Sequence, residues 1–73
     1  MQTYRNIDGD SGVRGFQLDE TEITVWFHGT PRAYTYSYSS AGQHHVEQMK
    51  QLALAGDGLH AYINNHVKLK FVR

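Results

Sequence analysis

This chain has no cysteine, a single proline, no excess of either charge and no long apolar run. Each absence closes off a class. Without cysteine, no disulfide can staple the fold, and the five histidines lack the thiolate partners of a structural zinc site. No segment approaches the ~20 apolar residues that cross a bilayer. Residues Met1 to Arg5 contain no apolar core of the signal-peptide kind. The expectation is a cytoplasmic protein with no membrane partner. Seven basic and seven acidic side chains cancel, which argues against a generic polyanion binder.

What is present is aromatic. Five Tyr, three Phe and one Trp stand in 73 residues, enough for one domain and too few for two. A chain this short hides only about 60% of its unfolded surface, so the rings must supply much of the core. The charges are also unevenly spread. Asp8, Asp10, Asp19, Glu20 and Glu22 crowd the first third, whereas Lys68, Lys70 and Arg73 close the chain with no acid among them.

Periodicity gives the architecture. Residues 1–10 read as a polar lead-in, and Asp8 to Gly12 is turn chemistry. Val13 to Leu18 predicts a first strand, weakened by Gly15. Glu22 to Phe27 predicts the best strand, with Ile23, Val25 and Phe27 alternating against Glu22, Thr24 and Trp26. A loop through Gly29 and Pro31 leads to Tyr34-Thr35-Tyr36-Ser37-Tyr38, three tyrosines at strict period two and hence on one strand face. Connections this short require an antiparallel meander.

At Ser40 the period changes to helical, with Ser40 and Gln43 spaced as a capping box. Val46, Met49 and Ala53 form a stripe that Leu52 and Leu54 widen, and Gly56 stops it. Asp57 then caps a short second helix with the stripe Leu59, Tyr62, Ile63 and His66. Val67 to Phe71 alternates again, as a last strand or an extended tail. The expected fold is α+β: a three-stranded antiparallel meander, then two helices, in a single domain over residues 11–73.

The tyrosines admit two readings. They pack beneath the helix as half of the core, or they form a platform on which bases stack, each worth roughly 1–3 kcal/mol. Arg14, Arg32, Lys68, Lys70 and Arg73 are the basic candidates, and Lys68 and Lys70 share a face if their segment is extended. Such a strip meets phosphates or guards a strand edge against aggregation. Trp26 shares its face with Glu22 and Thr24, which marks it as the aromatic off the core and a candidate protein-interaction anchor.

Other chemistry is poorly represented. His44 and His45 point about 100° apart on a helix, and no histidine pair has zinc-helix spacing. Asn6, Asp8 and Asp10 begin like a calcium loop, but Ser11 and Gln17 stand where Gly and Glu are needed. Gly9, Gly12 and Gly15 have the wrong spacing for a dinucleotide loop, and no Gly-x-Ser-x-Gly elbow exists. No cofactor, metal or catalytic set is expected, and the chain does not read as an enzyme.

The order of these features resembles the KTSC family, short domains named after the C-terminal region of some lysyl-tRNA synthetases. The family's Tyr-x-Tyr mark is similar to Tyr34-Thr35-Tyr36 or its overlap Tyr36-Ser37-Tyr38. Ser11-Gly12-Val13 resembles its Ser-x-aliphatic start, and Ile23-x-Val25-x-Phe27 its strand. Gly58, Tyr62-Ile63-Asn64 and Val67-Lys68 resemble its downstream Gly, aromatic-Asn and aliphatic-basic elements. Asp57 departs from the hydroxyl residue usual before that Gly, and Phe71 stands near where a Tyr is common. The resemblance implies a binding module for which RNA has been suggested. It points to Tyr34, Tyr36, Tyr38, Asn64 and Lys68, beside the basic Arg32 and Lys70. The expected partner is single-stranded RNA or a tRNA-related molecule; the alternative is another protein, met through a strand edge or Trp26.

Overall fold

A computed structural model describes residues 1–6 and 12–72; the Asp8 to Ser11 turn with its acidic cluster, and Arg73, lie outside the described residues. Four strands form one antiparallel sheet in the order β1-β2-β3-β4: β1 (Gln2–Thr3), β2 (Val13–Asp19), β3 (Glu22–Phe27) and β4 (Ala33–Ser37). The meander is as expected, with one more strand than the sequence suggested. Polar, two-residue β1 carries no period of its own, yet Gln2 pairs with Phe16, Thr3 pairs with Gly15, and the next residue, Tyr4, is buried.

The register explains which residues become core. Ile23 sits opposite Tyr36 and Val25 opposite Tyr34, while Phe16 and Leu18 face Val25 and Ile23 from β2. Strict alternation along β2 would put Arg14 on this face with Phe16 and Leu18. A bulge prevents that. Val13 pairs with Phe27 and Gly15 with Trp26, so Arg14 is the extra residue, Val13 turns inward and the guanidinium stays outside. Gly15 then lies on the outer face, where an added Cβ would fall 2.8 Å from the Gln2 carbonyl oxygen. Glycine here admits β1 rather than weakening β2.

The helices cover the inner face. α1 (Tyr38–Ala41) starts one turn earlier than expected, because the capping box joins Ser37 and Ser40 instead of Ser40 and Gln43. The Ser40 backbone N–H donates to Ser37 Oγ, and the Ser37 N–H donates to Ser40 Oγ, each at 3.0 Å. Tyr38 is therefore helical and leaves the strand ladder. Gly42, at φ 99°, breaks the chain between α1 and α2 (Gln43–Ala55). From α2, Val46, Met49 and Ala53 are buried against the sheet and Leu52 is half-buried, whereas Leu54 points outward at 53% exposure. Burying Val46 and Met49 contributes roughly 1.5–3 kcal/mol each. The helix stops at Gly56 in the left-handed region, and Arg5 Nη2 donates to the Leu54 and Ala55 carbonyls at 2.8 and 2.9 Å.

α3 (Leu59–Tyr62) is capped by Gly58, with no side-chain bond from Asp57. It continues as a π-helical turn over Ile63–Val67. The wider turn keeps Leu59, Ile63 and Val67, each four residues apart, in one buried row. Of the two readings of Val67 to Phe71, the last strand does not form among the described residues. The chain turns at Lys68, with the Lys70 N–H bonded to the Val67 carbonyl, and the tail meets β4 through a bond from the Val72 N–H to the Thr35 carbonyl at 2.7 Å. No helix among the described residues is long and apolar enough to cross a membrane.

Candidate functional site

A cleft of about 430 Å³ opens between the β3–β4 loop and the helical C-terminal segment. Such a volume lies within the ordinary range for a small-ligand pocket. The sheet supplies Phe27, Tyr34 and Tyr36, and the β3–β4 loop supplies Arg32. The helical segment supplies His60, Asn64 and Lys68, a second row at spacing four, followed by Leu69 and Phe71. The π-helical turn that aligns Ile63 under Val67 aligns this row as well, so one irregularity serves both core and cleft.

The walls are aromatic. Phe27 meets Tyr34 edge to face at 5.6 Å, and Tyr34 meets Phe71 at 5.0 Å with an interplanar angle of 81°. The Phe27 ring also contacts His60 at 5.6 Å. His60 is fixed from behind, because the Gly12 N–H donates to its Nδ1 at 3.0 Å. When the ring is neutral, its proton must therefore sit on Nε2, leaving a donor for other partners. Arg32 lies over the rings, with Cζ 5.1 Å from the Tyr34 centroid and 5.7 Å from that of Phe71. The Arg32 N–H donates to Thr30 Oγ1 at 3.2 Å, which sets the loop's approach to the cleft.

Among the described residues, no Asp or Glu lines the cleft. Asp19, Glu20 and Glu22 occupy the β2–β3 turn at the far end of the sheet, where Lys50 Nζ donates to the Glu20 carbonyl and pairs with Glu47. Among the described residues, that acidic turn and the cleft lie at opposite ends of the sheet. The neutral sum therefore does not carry over to the described lining of the cleft, which includes Arg32 and Lys68 and no acid.

The residues singled out from sequence part company here. Arg32, Tyr34, Tyr36, Asn64 and Lys68 come together in the cleft. Tyr36 forms its floor at 2% exposure, and burial, with the neighbouring Tyr34 adding to it, pushes the phenol up to about 12. Tyr38 lies elsewhere: its hydroxyl donates to Glu47 Oε2 at 2.6 Å, which raises the phenol and lowers the carboxyl, and Lys50 Nζ sits 5.8 Å from its ring. Lys70 does not line the cleft with Lys68, because the turn after Val67 separates them. The two lysines form no strip. Trp26 is half-buried on the outer sheet face between Gly15 and Ala33, beside the Thr24–Thr35 hydroxyl bond of 2.9 Å. Sequence reasoning does not single out Phe27, His60 and Phe71 as cleft residues. The signal that points to His60 is its spacing with Asn64 and Lys68, visible in the sequence as i, i+4, i+8.

A second cluster joins α2 to the π-helical turn. His45 Nδ1 and the Tyr62 hydroxyl are 2.7 Å apart, and the His45 ring stacks on His66 at 5.5 Å and meets His44 at 5.3 Å. Among the described residues no group of three or more His, Asp or Glu side chains is arranged to hold a metal ion. Desolvation lowers the His45 pKa, and His44, His66 and Lys70 push it the same way. A histidine that resists protonation when folded contributes stability fully present above its ordinary value near 6.5, and lost as pH falls through the lowered value. Urea midpoints measured between about pH 7.5 and 5 should therefore fall with acidification. They should fall less in His45→Gln, and equal slopes in the two proteins would contradict this account of the cluster.

No protein-family profile, curated protein or solved structure matches the chain.

Proposed function

We propose that this protein is a non-enzymatic, cytoplasmic binding module whose ligand is single-stranded RNA or another single-stranded nucleic acid, held in the cleft. The observation that carries the reading is the meeting of Arg32, Tyr34, Asn64 and Lys68 in one aromatic cavity with no acid among its described lining residues. Rings offer faces to bases, the two cations answer phosphate, and the Asn64 carboxamide can both donate and accept at a base edge. The resemblance to KTSC domains, for which RNA has been suggested, points the same way and makes a tRNA-related molecule a reasonable partner to try.

A protein-interaction role is the second reading. It rests on Trp26, because the helices pack on the inner face of the sheet and, among the described residues, leave the outer one uncovered. Half-buried tryptophans are frequent interface anchors.

Titrating labelled single-stranded RNA separates the two. Tyr34→Leu keeps an apolar filling at a half-buried site and should weaken binding roughly tenfold, within the range for losing one base–ring stack. Trp26→Ala, once shown to be folded, should bind as the wild type does. RNA affinity that depends on Trp26 and ignores Tyr34 would move the site to the other face of the sheet.

A further inference from the structure

We propose that the cleft holds one nucleotide unit rather than a run of stacked bases, and that Arg32 selects for its phosphate by leaving the ring faces it covers in the free protein. This inference rests on the nucleic-acid reading above and narrows it.

The number of available rings sets the occupancy. Of the three tyrosines at period two, Tyr36 is sealed in the floor and Tyr38 is engaged by Glu47 and Lys50 outside the cleft. Tyr34 and Phe71 are the other rings of these walls, in contact with each other and with Arg32. They stand at 81° to one another, so their faces cannot act as successive steps of one stack. A base lying on one ring has the edge of the other against its side. Phe27 and His60 close the next position, and a cavity of about 430 Å³ suits one small ligand better than a strand.

Arg32 occupies the remaining face. Its guanidinium covers Tyr34 and Phe71 and has no acidic partner among the described residues. A cation over an exposed ring is held weakly, whereas a guanidinium–phosphate pair gains two aligned, charge-assisted bonds. A phosphate at the mouth therefore draws Arg32 outward and uncovers the ring for its own base. A nucleoside without phosphate must displace the same cation and gives nothing in return. Recognition of base and phosphate is thus coupled through one side chain.

The coupling predicts opposite signs for two ligands. Adenosine monophosphate, adenosine and inorganic phosphate are titrated into wild type and Arg32→Ala, with Lys68→Ala as a charge-removing control that covers no ring. In wild type the monophosphate should bind at least tenfold tighter than adenosine. Arg32→Ala should lose affinity for the monophosphate and gain affinity for adenosine, whereas Lys68→Ala should lose the first without gaining the second. Adenosine binding that is unchanged or weakened in Arg32→Ala would overturn the selecting role.

Occupancy is read from a length series. Affinity for oligonucleotides from a mononucleotide to an octanucleotide should rise no faster than the number of units on the strand, and the monophosphate should displace the octanucleotide. A multiplicative gain with each added unit, or an octanucleotide that binds while the monophosphate does not, would overturn single-unit occupancy and leave the RNA reading standing. If no length binds the folded protein, both fall together.

Discussion

Tyr36→Ala should remove about 3–5 kcal/mol, the range for deleting a large buried aromatic ring. Small domains have little more than that in total, so the variant should lack a cooperative melt near room temperature. Tyr36 is 2% exposed and packs opposite Ile23, which is fully buried beneath α2 with Val46 and Met49. Tyr38, two residues later, belongs to α1, and its hydroxyl bond to Glu47 is exposed. Tyr38→Ala, which removes a ring only partly buried against the core, should lower the urea midpoint clearly less. The pair therefore tests whether three tyrosines of identical spacing have different roles. Comparable losses in both variants would mean that the strand runs through Tyr38 and that the Ser37–Ser40 cap is misplaced.

Salt dependence gives the second large effect. One phosphate held by Arg32 and Lys68 should yield a slope of roughly −0.7 in log affinity against log salt, the value per phosphate on a single strand. RNA binding should then weaken about threefold between about 50 and about 200 mM salt. In Arg32→Ala/Lys68→Ala the slope should approach zero and the low-salt affinity should fall by about tenfold or more. Tyr34→Leu should weaken binding at every salt concentration with the slope intact. Lys70→Ala should change neither, because the turn after Val67 carries Lys70 out of the cleft. A flattened slope in Lys70→Ala would restore the basic strip suggested by alternation in the sequence.

That alternation shows where the sequence is hard to read. Val67 to Phe71 has the period of a strand, yet Val67 also continues the buried row of Leu59 and Ile63, and Lys68 continues that of His60 and Asn64. Over five residues both patterns fit, and only the π-helical turn decides between them. The bulge at Arg14 interrupts the period of β2, but β3, β4 and the stripe Val46, Met49 and Ala53 are legible because a single period in each leaves one buried face. β1 is not, since two polar residues carry no pattern and owe their pairing to Gly15. The helix start is displaced by one turn from the sequence expectation because Ser37 and Ser40 cap as well as Ser40 and Gln43 would.

The site is half legible for a related reason. Residue types name Arg32, Tyr34, Asn64 and Lys68, but strand period cannot say which tyrosines α1 and α2 will cover. Nor can net charge reveal that Asp19, Glu20 and Glu22 stand at the opposite end of the sheet from Arg32. Charge position, and not charge sum, decides what a surface attracts.

The most direct test of the cleft as the ligand site is a nuclear magnetic resonance titration of the labelled protein with short single-stranded RNA. The account predicts that amide and ring signals of Phe27, Arg32, Tyr34, Asn64, Lys68 and Phe71 move together and saturate, while those of Trp26, Thr24 and Tyr38 stay in place. Shifts confined to Trp26 and the outer face of the sheet, or no shifts at low salt in a folded protein, would contradict it.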